Sequence, residues 1–340
     1  MSAKSVRVSR DDVTYYNLPG STADLSLDSA SVDDSVFGTS FTSSQQTLIT
    51  WNIGANGYFK GFPGYKATLK RAGTPTSFTA EATTSENGGH YITDRTKSIW
   101  EAGSVTILDA GDAVDPADID YIDYLHGGVV FATGYTVTGP ITATGNYLPT
   151  SRICYAQTFS LTQSADTENI TDMCEADDNG GFGVFGYQQQ TVELSLDGFY
   201  NDGSDFLDDL LSRDTIIIEV NPDGEGLSVA RGYFQASSVD QSGDVGQTET
   251  ESVTYALNVP ENVRYPFKWR HASNSSIPAG VKAILDAWEA RESIFVEYKA
   301  EGSSVTRKGE ALISDTSLDG GVEDINEFSF DFQGSGELTS

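Results

Sequence analysis

The strongest constraint on this chain is a stretch that occurs twice. From Phe206 the sequence runs Phe-Leu-Asp-Asp-Leu210-Leu-Ser-Arg213, Thr215-Ile-Ile-Ile-Glu-Val220, a turn, Ser228-Val-Ala-Arg231, Gly232-Tyr-Phe-Gln-Ala-Ser237, Gly243-Asp-Val245 and Glu251-Ser-Val-Thr-Tyr-Ala-Leu257. The last quarter follows the same order: Ile284-Leu-Asp-Ala-Trp288-Glu-Ala-Arg291, Ser293-Ile-Phe-Val-Glu-Tyr298, a turn, Ser304-Val-Thr-Arg307, Gly309-Glu-Ala-Leu-Ile-Ser314, Gly320-Gly-Val322 and Glu327-Phe-Ser-Phe-Asp-Phe332. Arg213 aligns with Arg291, Glu219 with Glu297, Arg231 with Arg307 and Val245 with Val322. A short amphipathic helix followed by a strand meander, used twice, is a repeated structural unit.

The earlier part of the chain is also β-patterned. Thr47-Leu-Ile-Thr-Trp51-Asn-Ile53, Tyr65-Lys-Ala-Thr-Leu69, Tyr91-Ile-Thr and Ser104-Val-Thr-Ile-Leu108 are separated by Gly, Asn or Pro. Asp115, Pro116, Ile119, Ile122, Leu125 and Gly127-Gly128 supply N-cap, first-turn proline, apolar stripe and stop, which predicts a helix over 115–127. Strands through 129–131, 135–137, 140–142 and 157–161 then make a third helix-plus-meander unit. Ile170-Thr-Asp172 and 191–196 repeat Val32-Asp-Asp34 and Ile49-Thr-Trp-Asn-Ile53, so an opening strand belongs to the unit as well. The economical architecture is mainly β: tandem antiparallel β-sandwich units, each with a short flanking α-helix. The expected division is an arm over 1–30, a sandwich over 31–162, a second over 163–258, and a related helix-plus-meander unit over 259–340. The polar segment 1–30 reads either as a loose terminus or as an arm that orders against a partner subunit.

Fifty acidic residues against twenty basic ones leave a net charge of -30. That balance excludes nucleic-acid binding by phosphate neutralisation. Cys154 and Cys174 form no disulfide framework or zinc set and are expected to be buried small hydrophobes. The first residues lack the apolar core of a signal peptide, and no stretch has the apolar length of a membrane helix.

Chemistry is sparse. His90, His126 and His271 are widely separated and form no metal-ligand pair, so each reads as a packed or surface residue. Gly181-Phe-Gly183-Val-Phe-Gly186 has dinucleotide spacing but precedes a strand instead of following one, and reads as a hairpin. Glu175-Ala-Asp177-Asp-Asn179-Gly180 resembles half a calcium loop, but Gly186 occupies its twelfth position, so it reads first as a solvated acidic loop, with a loose calcium or magnesium site as the alternative. Asp115, Asp118, Asp120 and Asp123 belong to the expected helix, the first two near its N-terminal dipole. Glu219 and Glu297 sit at equivalent strand positions and read as structural. Asn169-Ile-Thr171 and Asn274-Ser-Ser276 match glycosylation sequons that mean little without secretion. No catalytic, cofactor-binding or metal residue is assigned, and the chain is not expected to be an enzyme.

The opening strand, the flanking helix, the strands begun by Gly232-Tyr-Phe and Gly309-Glu-Ala, and the closing Phe328-Ser-Phe-Asp-Phe-Gln-Gly-Ser-Gly336 together resemble the major tail tube proteins of long-tailed bacteriophages. The resemblance covers the chain from about residue 31 and rests on spacing, not on a catalytic signature. It implies half-barrel units whose sheets join between subunits, and self-association into rings, hexameric or trimeric with pseudo-sixfold symmetry. Those rings stack into a tube, with other tail proteins as partners, and DNA passes through without specific binding. It places the protein in a virion tail assembled in the host cytoplasm, with no membrane. Such a tube closes its sheet edges through main-chain hydrogen bonds, and an acidic wall repels the polyanion within it. Single-domain members have one sandwich where this chain has two copies and a third related unit. The polar stretches from Gly73 to Gly89 and from Val239 to Glu251 are expected as bracing hairpins or as ordinary loops. The alternative reading is a secreted or surface-displayed β-sandwich adhesin; a glycan hydrolase with paired carboxylates is a third.

Overall fold

The computed structural model describes residues 5–33, 44–86, 88–179, 181–200, 205–243, 248–272, 274–275 and 277–340. It is mainly β and antiparallel, with three α-helices among these residues: α1 (Met173–Asp178), α2 (Phe206–Ser212) and α3 (Ala279–Ala290). The chain divides into two compact units. One comprises Met1–Tyr65, Thr158–Leu194 and Ser276–Ser340; the other comprises Lys66–Gln157 and Ser195–Ser275.

The repeated stretch is a repeated structure, and strand pairing extends it beyond what the sequence alignment covers. In the terminal repeat, built from both ends of the chain, the strands lie in the order Ser5–Ser9, Ile294–Lys299, Arg307–Gly321, Ile325–Gly334, Ser44–Pro63, Gly20–Asp33. In the central repeat the order is Thr68–Ala72, Ile216–Asn221, Ser228–Ser242, Thr250–Leu257, Phe185–Phe199, Ala156–Asn169. The agreement reaches single residues. Helices α2 and α3 both end on an arginine in the left-handed region, Arg213 at φ 59° and Arg291 at φ 57°. The long strands carry a β-bulge at the same place, between Ala236 and Ser238 and between Ile313 and Asp315. Glu219 lies between Lys70 and Arg231, and Glu297 between Arg7 and Lys308. Arg231 therefore corresponds to Lys308, one residue beyond Arg307 where the sequence alignment put it.

Each repeat is held by packing that its sequence specifies. Ile325–Gly334 alternates so that Asn326, Phe328, Phe330, Phe332 and Gly334 are buried. Trp51 lies over Gly309 and Gly334 and donates its indole N–H to the Gly336 carbonyl at 3.0 Å. A Cβ on Gly334 would stand 2.1 Å from the indole, so the glycines after each strand register are fixed by the ring above them. Helix α3 buries Val281, Ile284, Leu285, Ala287 and Trp288, at helical spacing, in the terminal repeat.

In the second compact unit, Thr68–Ala72 and Thr150–Arg152 are paired strands, with Ala72 opposite Thr150. Residues 73–149 leave and return through that pair and form a sheet of seven described strands. Its core is Phe78, Ile92, Trp100, Ile107, Val129, Ile141 and Ala143. Several expectations are corrected here. Asp115 does cap a turn, accepting from the Ala117 N–H, but the turn is a single 3-10 turn over Pro116–Asp118. The residues that follow form the strand Ile119–Asp123, because Ile-Asp-Tyr-Ile-Asp pairs edge to edge with Gly128–Phe131. The stretch 73–89 contributes the strand Thr76–Glu86, which pairs antiparallel with Gly89–Ile92, so of its two expected forms it takes the hairpin. Within the segment 1–30, Ser5–Ser9 pairs with Ile294–Lys299 of the same chain and Gly20–Asp33 with Ser44–Pro63. The Val32-Asp-Asp34 strand lies partly outside the described residues, as do Gly180, residues 244–247 and Ser276.

A buried ionic cluster fixes the 73–149 segment within that unit. The Arg231 guanidinium donates to the Glu219 carboxylate at 2.6 and 2.8 Å, to Ser98 Oγ at 2.8 Å and to the Leu125 carbonyl at 2.7 Å. Burial works to raise the Glu219 pKa, but Arg231 and Lys70 outweigh it and hold the carboxyl below its ordinary range. Removing one partner leaves the other charged and buried. Glu219→Gln is expected to cost roughly 3–5 kcal/mol in denaturant unfolding at pH 7. The cost should fade on acidification through the depressed native pKa, because the native pairing is then already lost. Gly334→Ala is expected to lower stability by about 1–3 kcal/mol through overpacking against Trp51, read as a lower thermal midpoint.

Candidate functional surface

The alternation that buries the Phe328, Phe330 and Phe332 rings turns Glu327, Ser329, Asp331 and Gln333 to the opposite face of the sheet. Register sets their neighbours. Asp331 lies opposite Asp315 on one side and Gly54 on the other; Ser329 lies opposite Ser317 and Asn56; Glu327 lies opposite Asp319 and Tyr58. The rows continue outward, with Ser164 opposite Asp315 and Ser160 opposite Asp319, and with Asp24 opposite Gly54 and Thr22 opposite Asn56. The result is a polar patch spread over four strands of the terminal repeat and Ala156–Asn169. Its segments 22–28, 52–58, 160–166, 315–319 and 327–333 contain no Lys or Arg.

Two like-charged pairs stand directly across from each other here, Asp315 with Asp331 and Asp319 with Glu327. Such pairs destabilise a sheet. They are placed where hydroxyl and amide side chains surround them: Ser164 Oγ donates to Asp315 at 2.7 Å, and Ser317 Oγ to Asp319 at 2.9 Å. Burial and then the neighbouring Asp315 charge raise the Asp331 pKa. The patch offers negative charge and small polar groups on the face opposite the Phe328, Phe330 and Phe332 rings.

The residues weighed from sequence fall elsewhere. Glu219 and Glu297 are structural partners of flanking cations, at 2.6 Å from Arg231 and 2.9 Å from Arg7. His126 is buried, its pKa pushed down to about 3 by burial, against the pull of Asp123. Its Nε2 lies 3.0 Å from the Lys268 carbonyl. Cys154 and Cys174 are both exposed, contrary to the buried role expected of them; their neighbours are turn and helix residues, not sheet interior. Residues 175–178 are helical within α1, closed by a capping box between Asp172 and Glu175. Gly181 and Gly183 lie in the connection between the neighbouring strands Ala156–Asn169 and Phe185–Phe199, and their backbones exchange hydrogen bonds with Ile49 at 2.8 Å. Among the described residues no group of three or more His, Cys, Asp or Glu is arranged to hold a metal ion. No helix among them is long and apolar enough to cross a membrane. The sequence reading missed Asp24, Asp315, Asp319 and Asp331 as a set. Its one signal was the Glu-x-Ser-x-Asp alternation of the closing strand.

No family model matches this sequence, and no curated protein matches it. Among solved structures, a chain from the virion of a native gene transfer agent particle is similar at 15% identity with a TM-score of 0.29, covering 33% of this chain and 85% of that one. A chain from the tail of an empty gene transfer agent particle with C6 symmetry is similar at 17% identity and a TM-score of 0.29, covering 33% and 84%. Likenesses of this extent leave the functional reading to the chain's own geometry.

Asp331→Asn is expected to raise stability at pH 7 by about 0.5–1 kcal/mol by removing a like-charge pair. Because the native pKa is raised, the penalty exists above it and vanishes as pH falls toward the unfolded-state value of about 3.9. Thermal midpoints of the two proteins should therefore converge on acidification.

Proposed function

We propose that this chain is a structural subunit of a bacteriophage tail tube, assembling into stacked rings that form a conduit for DNA. The observation that carries the reading is that one strand order, with the same bulge and the same helix ending, occurs twice in a single chain and sets on one sheet face acids and hydroxyls from segments 22–28, 52–58, 160–166, 315–319 and 327–333, which contain no Lys or Arg. Two copies of one unit per chain suit a ring with half as many chains as units, so three chains would present six repeats in pseudo-sixfold order. The acidic face would line the bore, where Lys or Arg would add salt-dependent affinity for each phosphate passing and slow the DNA. The net charge of -30 acts in the same sense. In this reading other tail proteins meet the tube at its ends, and the protein resides in the virion.

Electron microscopy of the purified protein is the direct test: rings or tubes of uniform bore are expected, and dispersed monomers under every condition would overturn the reading. Replacing Asp319 and Asp331 together by lysine is expected to leave assembly in place and to convert inert tubes into ones that retain DNA at low salt and release it as salt rises.

A further inference from the structure

The internal repeat also specifies a contact between chains. Within the first compact unit, residues 158–164 of the central repeat's strand Ala156–Asn169 pair along Arg307–Gly321 of the terminal repeat, with Ser160 opposite Asp319, Leu161 opposite Leu318, Gln163 opposite Thr316 and Ser164 opposite Asp315. So one repeat's outer strand is added to the far half of the other's long strand, past the bulge. Gln163 and Thr316 are both buried there, joined by a 2.9 Å hydrogen bond.

The reciprocal positions are vacant. Gly20–Asp33, the counterpart of Ala156–Asn169 and of the same fourteen-residue length, pairs only with Ser44–Pro63 among the described residues. The far half of Ser228–Ser242 pairs with Thr250–Leu257 along one edge, and no other described strand continues along residues 238–242. Long strands with an open edge are templates for a further strand. We propose that Gly20–Asp33 of one chain adds to residues 238–242 of a second copy of this chain, reproducing between chains the pairing already present within one; this rests on the ring reading above.

The repeat fixes the register. The glycines Gly57 and Gly198 make the same close approach, to the Pro19 and Tyr155 carbonyls, which sets Gly20 onto Ala156 and hence Leu27 onto Gln163. The common bulge sets Thr316 onto Val239 and Asp319 onto Ser242. Leu27 of one chain then faces Val239 of the next, and Asp24 faces Ser242. Leu27 is 53% exposed in the single chain, whereas Ala23 and Leu25 on the same face of its strand are buried and half-buried, and an apolar partner takes the place of the buried Gln163–Thr316 pair. The occupant is thus a copy of the same chain in a head-to-tail arrangement, the kind that closes into a ring.

Cross-linking tests it, in a Cys154→Ser, Cys174→Ser background. Leu27→Cys and Val239→Cys single variants are mixed, assembled and oxidised; directly opposed strand residues are within disulfide reach. A disulfide-linked species of twice the chain mass is expected, and it should be lost when Asp240→Cys, whose side chain points to the other face, replaces Val239→Cys. Rings seen by electron microscopy without this cross-link would overturn the edge assignment and leave the tube reading standing. Absence of rings from the unmodified protein would overturn both. Hydrogen exchange on the unmodified protein gives a readout free of substitutions: amides in 20–28 and 238–242 are expected to slow at least tenfold in rings relative to dispersed chains. Unchanged exchange there in assembled rings would overturn the proposal.

Discussion

A slip of one residue between Arg307–Gly321 and Ile325–Gly334 would turn the Phe328, Phe330 and Phe332 rings to solvent and drive Glu327 and Asp331 into the core. Register is therefore what the rest of the structure depends on. It is enforced at several points at once. Trp51 fits only over glycines, and its N–H reaches the Gly336 carbonyl. The bulge at Ile313 and Asp315 absorbs one residue so that phenylalanines continue to fall on the buried side. Once these are set, the acids of neighbouring strands have no choice but to meet on the opposite face.

The two repeats share this frame and spend their differences in one region. In the central repeat the Lys70, Glu219 and Arg231 row is buried beneath Ser98 and Leu125 of the 73–149 segment, where each charge has partners. In the terminal repeat the matching Arg7, Glu297 and Lys308 row is more open, with Lys308 reaching Asp12. Tyr255 and Asp209 of the central repeat, joined at 2.8 Å, sit at positions that Phe332 and Ala287 fill in the terminal one. A buried tyrosine–carboxylate hydrogen bond in one copy and hydrocarbon in the other both satisfy the same fold, since register and layer order, not side-chain chemistry at these sites, define it.

The helix expected over 115–127 shows where sequence signals compete. The Asp115 cap and Pro116 were real, but a cap nucleates a turn and does not propagate one. Ile119, Tyr121 and Ile122 are β-prone residues, and an available neighbour in Gly128–Phe131 won them for a sheet. Helix α1 went unread for the opposite reason: three of its six residues are acidic, none is buried and there is no apolar stripe, so the capping box of Asp172 and Glu175 was its only mark. The cysteines, neutral in pattern, carried no burial information at all.

Alternation, glycine placement and the doubled order of helix and strands were legible in the residues, because each is a local property: a period of two, a missing side chain, a repeated spacing. From these follow the mainly β fold, the equivalent positions of Glu219 and Glu297 in the repeat, and the excess of negative charge. Which strands stand side by side was decided only in three dimensions. Asp24, Asp315 and Asp331 are separated by hundreds of residues or by a turn, and a sheet face exists only when hydrogen bonding sets distant strands in register. The same is true of the repeats, whose members are drawn from separated parts of the chain and become recognisable as equals through the bulge, the left-handed arginine and the neighbour order they share.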